Sequence, residues 1–242
     1  ATAVGATAFD AVAAEIVPVF RVGSVLVVAL VGINLMAQAV PMTLRNGLGL
    51  MVRITVASAF LSSWTNFNAV YGVLTNAPSE VGAVVLEAFG GGSGNLYEGL
   101  DSLYLQALDV GQAISQNGSY ITGALAGLLM FLVAALMATV SIIVISAAKI
   151  MIGVLVIFAP IAIACTLFKV TAPLFDRWVN LGLGFAFYPM LTSGMAAFTI
   201  TIARDLTPAS LASVETIGDV LSFVVVMMLG TGLMAMVPTI AQ

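Results

Sequence analysis

The sequence predicts an all-α, polytopic helical membrane protein with five transmembrane helices, or six, plus amphipathic helices on a periplasm-like side. Three observations carry this. Of 242 residues, 61% are hydrophobic and 7% charged, against roughly 25% charged in an ordinary soluble domain. Six apolar stretches approach or reach the ~20 residues that a spanning helix needs: Val22–Val40, Leu48–Trp64, Thr122–Ala148, Ile150–Phe168, Trp178–Ala203 and Val220–Ile240. The few basic residues are distributed unevenly around them.

Residues 1–21 hold Asp10 and Glu15 with no positive region ahead of the apolar run, which argues against a cleavable signal peptide. Phe9, Val12, Ile16 and Phe20 fall three or four apart and share one side of a helix that Pro18 disturbs near its end. That pattern fits an amphipathic helix at the membrane surface, or a lead-in to the first span. Residues 22–65 supply the first two spans. Arg45 in the joint Pro41–Gly47, with Arg53 just inside the second span, marks this joint as cytoplasmic.

Residues 66–120 contain Glu80, Glu87, Glu98, Asp101 and Asp109 but no lysine or arginine, so they are assigned to the opposite side. Within them, Gly90-Gly91-Gly92-Ser93-Gly94 reads as a flexible hinge. Asn95 with Glu98 three residues on fits a capping box. Leu96, Leu100, Leu103, Ala107, Val110 and Ile114 then form an apolar stripe. Such a stripe packs on its own protein or a sister copy, or offers a docking face for another partner. It is taken here as the periplasmic partner contact.

Residues 121–242 form a C-terminal transmembrane bundle. If Ile150–Phe168 crosses fully there are six spans; if it is re-entrant or kinked at Pro160 there are five. The five-span arrangement places Arg45, Arg53, Lys149, Lys169 and Arg177 inside and only Arg21 and Arg204 outside. That is the better basic asymmetry, with the N-terminus periplasmic and loop 169–178 cytoplasmic.

That loop, "KVTAPLFDRW", carries Lys169, Asp176 and Arg177 around a pre-proline turn and ends on Trp178, whose ring suits a headgroup boundary. With what precedes and follows it, "KIMIGVLVIFAPIAIACTLFKVTAPLFDRWVNLGLGFAFYPML" from Lys149 to Leu191, it resembles the TrbL/VirB-six family. These are polytopic inner-membrane subunits of bacterial type IV secretion and conjugation systems. The resemblance implies a homo-oligomeric ring that acts in DNA or protein passage and pilus assembly. It also implies partners among bitopic scaffold proteins, the secretion ATPase and a minor pilin subunit, with membrane lipid around them.

Catalysis is not expected. Without histidine there is no Ser-His arrangement, and with a single cysteine there is no zinc constellation and no disulfide within the chain. No Gly-x-x-x-x-Gly-Lys-Ser/Thr phosphate loop occurs, and no cofactor is expected. The net charge of −4 without a basic cluster offers no footprint for duplex nucleic acid, so any DNA is cargo in transit.

What remains is helix packing and passage. Gly123 and Gly127, extended by Ala134 and Ala138, and Gly230 with Gly232 are small residues that let helices approach, within one subunit or between subunits. Asn34, Gln38, Asn180, Thr192 and Ser193 are polar groups in apolar stretches, which bond between helices or line a conduit. Two other functions stay open: a small-solute transporter, for which no internal repeat is found, and a purely structural membrane scaffold of the same machine.

Overall fold

The structure is a computed structural model, and it describes residues 2–37, 44–89, 95–117, 120–206 and 217–240. The described chain is helical with no strand: α1 Thr2–Ala37, α2 Leu44–Ser62, α3 Trp64–Ala88, α4 Leu96–Asn117, α5 Thr122–Ala164, α6 Ala172–Asp205, α7 Ile217–Ala235 and a final turn α8 Val237–Ile240. A 3-10 turn, Cys165–Leu167, ends α5. Five helices are long and apolar enough to cross a membrane: Gly5–Ala37, Trp64–Ala88, Gly123–Leu167, Ala172–Asp205 and Leu221–Thr239. The protein is thus a polytopic all-α membrane protein.

The five are not the five expected. The N-terminal segment is no separate helix, because α1 runs unbroken through Pro18 into the apolar run; a missing donor is tolerated where the rest of the helix is apolar and long. The stretch Leu48–Trp64 is interrupted at Ser63. The Ser63 hydroxyl accepts the Thr65 backbone N–H at 3.2 Å, and the Asn66 amide donates to the Ala59 carbonyl at 3.0 Å, so side chains satisfy both helix ends. The apolar part of α2, Gly47–Ser62, is therefore short, and α3, in the stretch assigned outside the bilayer, has the length and composition to cross. Ile150–Phe168 is neither a separate crossing nor a hairpin. It continues α5, whose 43 residues pass through Pro160 and rise about 65 Å, more than twice the hydrocarbon thickness of a bilayer.

The described residues form two compact units, one from Ala1–Leu74 and Ile150–Leu183, the other from Thr75–Lys149 and Gly184–Gln242. The core of the first joins Phe9, Ala13 and Phe20 of α1, Ala57 and Leu61 of α2, Phe67 of α3, and Val156, Ala159 and Ile163 of α5. Phe9 stacks on Phe67 at 4.9 Å and meets Trp64 at 5.4 Å, and Phe67 stacks on Tyr71 at 5.5 Å. Such pairs are worth about 0.5–1.5 kcal/mol each beyond burial. Beyond Phe20, α1 is apolar and largely exposed, with Val22, Val25, Ile33 and Met36 all open, as suits a helix facing acyl chains.

The second unit is held by Leu86, the α4 stripe, one face of α5 from Ala126 to Ile145, Ala196, Ala197, Ile200 and Ala203 of α6, and Phe223, Met227 and Met234 of α7. Between apolar helices in lipid, burial from water drives little association, so close contact carries the weight. The small residues provide it. A Cβ on Gly127 would fall 2.6 Å from the Ser115 Cβ and 3.0 Å from the Gly111 carbonyl oxygen, and one on Gly230 would overlap the Thr199 side chain.

Candidate functional site

Two regions gather the polar groups. The first is the turn between α5 and α6. Its backbone is closed locally: Thr171 and Ala172 N–H groups bond the Phe168 carbonyl, and the Thr171 hydroxyl bonds the Cys165 carbonyl at 2.6 Å. Pro173 stands in the first turn of α6, where its missing N–H costs nothing. Arg53 of α2 reaches the Thr166 carbonyl at 3.3 Å, a cation at a helix C-terminus. Lys169, Asp176 and Arg177 are exposed.

The expected headgroup anchor, Trp178, points inward instead. Its indole N–H donates to the Leu155 carbonyl at 3.0 Å and its ring stacks on Phe175 at 5.9 Å. Pro160 leaves the Val156 carbonyl without its helical donor; the indole bonds the carbonyl of the preceding residue, Leu155. Arg53, Phe60, Thr166, Phe175 and Asp176 line a groove of about 290 Å³ beside the turn.

The second region is α4. Its cap forms as expected, with Asn95 accepting from the Tyr97 and Glu98 N–H groups at 3.0 Å and donating to the Glu98 carboxylate at 2.9 Å. Its stripe is not a partner contact. Leu96, Leu100 and Leu103 are at most 4% exposed and Val110 packs on the same core; the strongest apolar face of the helix is consumed by its own unit. The side chain of Ile114 lies outside the described residues, as does the hinge Gly90–Gly94.

The outer face of α4 carries Glu98, Asp101, Leu105, Asp109 and Gln112, all exposed and three or four apart. Toward α5, the Tyr104 hydroxyl bonds Ser141, which bonds the Met137 carbonyl at 2.9 Å and the Met234 sulfur of α7 at 3.1 Å. Burial pushes the Tyr104 hydroxyl up to about 12, against a small opposing effect of its Ser141 bond; Asp101 adds to the rise. The Lys149 ammonium lies 4.1 Å from the centre of the Tyr97 ring.

Of the small residues, Gly123, Gly127, Ala134 and Gly230 are buried within the second unit, Ala138 is half-buried, and Gly232 is open with nothing near it. Among the polar candidates, Asn34 is half-buried, Asn180 is exposed, and Gln38 falls outside the described residues. Ser193 bonds the Met190 carbonyl at 2.8 Å. The Thr192 hydroxyl is buried with no hydrogen-bond partner among the described residues. Thr192 and Ser193 therefore sit inside the unit. Sequence reasoning missed Gly82 and Gly111: a Cβ on Gly82 would meet Leu96, Ser193 and Met190. Their signal was a glycine inside a helical pattern.

The family model described as TrbL/VirB6 plasmid conjugal transfer protein matches residues 24–237. The chain belongs to this family. The match covers all of α2 through α7 and the C-terminal part of α1, so TrbL/VirB6 membership rests on the whole order of helices and not on the α5–α6 turn alone. As a TrbL/VirB6 protein it is a multi-pass membrane component of conjugal transfer, a type IV secretion process. No curated protein sequence matches it.

Proposed function

We propose that this chain is a non-catalytic inner-membrane subunit of a type IV secretion system, oligomerising to form or support the DNA or protein conduit and the base for pilus assembly. Its N-terminus is periplasmic and the 169–178 turn cytoplasmic. Bitopic scaffold proteins, the secretion ATPase and a minor pilin are the partners that the family suggests. One observation supports passage over mere anchoring: α4 buries its apolar stripe among apolar helices and leaves Glu98, Asp109 and Gln112 exposed on its other side. Carboxylates facing acyl chains are costly, so that row faces water or protein.

The experiment is thiol accessibility in cells carrying the whole machine. With Cys165 replaced by alanine, Asp109→Cys is expected to react with a small charged thiol reagent that has access to both membrane faces. Leu128→Cys, on an exposed apolar position of α5, is expected to stay unreactive. An inert Asp109→Cys beside a reactive Lys169→Cys would defeat the conduit reading.

A further inference from the structure

A furrow of about 470 Å³ runs between α4 and the first half of α5, within the size range of small-molecule sites. Its ends differ in chemistry. At one, Tyr97 and Asp101 of α4 meet Ser146 and Lys149 of α5; at the other, the walls are Leu105, Leu108, Ala138 and Ile142. Leu105 and Ile142 are 59% and 63% exposed.

The polar end lies toward the end of the apolar helix Leu221–Thr239. Leu96, Met190 and Ser193 all come close to Gly82, where a Cβ would fall within 3.2 Å of each. Just before them in α6, the Tyr188 hydroxyl bonds the Pro238 carbonyl at 3.1 Å, and Pro238 stands at the end of the apolar span Leu221–Thr239. Tyr97 and Lys149, beside Leu96, therefore lie toward that end of the unit. The apolar end, beyond Tyr104, Ser141 and Met234, lies deeper in the span. From Lys149 to Ala138 the helix rises roughly 16 Å, about half of a ~30 Å hydrocarbon core.

We propose that this furrow binds one zwitterionic, amine-bearing phospholipid. Its phosphate sits on Lys149 and Ser146, its ammonium on Asp101, and one acyl chain lies along Leu105, Leu108, Ala138 and Ile142. Charge complementarity selects this occupant. An anionic headgroup without the amine would pair its phosphate with Lys149 but leave the Asp101 carboxylate beside it without a cation, and an apolar helix of a second copy would strip water from both charges without pairing them. The site shares Asp101 and Leu105 with the exposed face of α4 that carries Glu98 and Asp109, at the side of that face nearest α5.

The test is native mass spectrometry of the full chain in mild detergent, stripped of lipid and then supplied with phosphatidylethanolamine or phosphatidylglycerol of identical acyl composition. One phosphatidylethanolamine per chain is expected to bind in preference to phosphatidylglycerol. Lys149→Gln should lower occupancy about tenfold, the value of one charge-assisted contact. Asp101→Asn should remove the preference between the two lipids while binding persists. Ile142→Trp, which fills the apolar end from an exposed position, should lower binding of both. Equal binding of the two lipids by the unaltered chain, no bound lipid, or occupancy unchanged in Lys149→Gln and Ile142→Trp would each overturn the proposal.

Discussion

Leu103 is fully buried between α4 and the helices that flank it. Leu103→Ala is expected to cost about 2–5 kcal/mol, lost contact plus cavity, and to lower the unfolding temperature in detergent. Leu103→Asp is expected to abolish the folded unit altogether, measured as loss of a monodisperse species, and not to act as a selective secretion defect. Its neighbour Tyr104 supplies a titration marker. Because burial raises its hydroxyl from 10.0 to about 12, the folded state holds that proton where the unfolded chain has released it. The stability this provides is complete below about pH 10 and is lost as pH rises through about 12. A phenolate absorbance titration should lose a late-ionising component in Tyr104→Phe. The α4 stripe was legible from spacing alone, and so was the Asn95–Glu98 cap; which surface the stripe meets was not, since a period of 3.6 names a face and never its partner.

Two glycines in α7 separate packing from composition. Gly230 lies against Thr199 and Gly232 faces open space, so Gly230→Ala is expected to destabilise by about 1–3 kcal/mol through overpacking. Gly232→Ala should be neutral or slightly stabilising, since alanine is the better helix former by about 1 kcal/mol. Thermal unfolding of the two variants side by side checks this. The sequence paired these glycines as equals because small residues carry no record of what approaches them. Helix ends were harder still. Hydropathy ran through Ser62-Ser63 because serine is nearly neutral on such a scale, while the break depends on one Ser63 hydroxyl and one Asn66 amide. Lys149 and Pro160 looked like punctuation of a long apolar run, yet α5 passes both. A lysine on an exposed face leaves the backbone bonds intact, and proline removes only one of them.

At the scale of the whole molecule, the fold class followed from composition and the family match extends over residues 24–237, but the set of crossing helices needed the structure. The clearest consequence concerns α3. A topology reporter fused after Ser63 and one fused after Ala88 are expected to report opposite sides of the membrane; the same side for both would remove α3 from the spans. Of the five candidate spans α3 is the least apolar, and it carries Asn66, Asn68, Asn76, Glu80 and Glu87. A carboxylate near the middle of a lone helix opposes partition from the insertion machinery by roughly 3 kcal/mol. The residues that cover one side of α3, among them Leu96 and Leu100 against Leu86, are synthesised after it. During biogenesis α3 is therefore expected to partition late, after the chain following it has emerged, so that in a truncation series stalled on the ribosome α3 should resist carbonate extraction only once α4 is included.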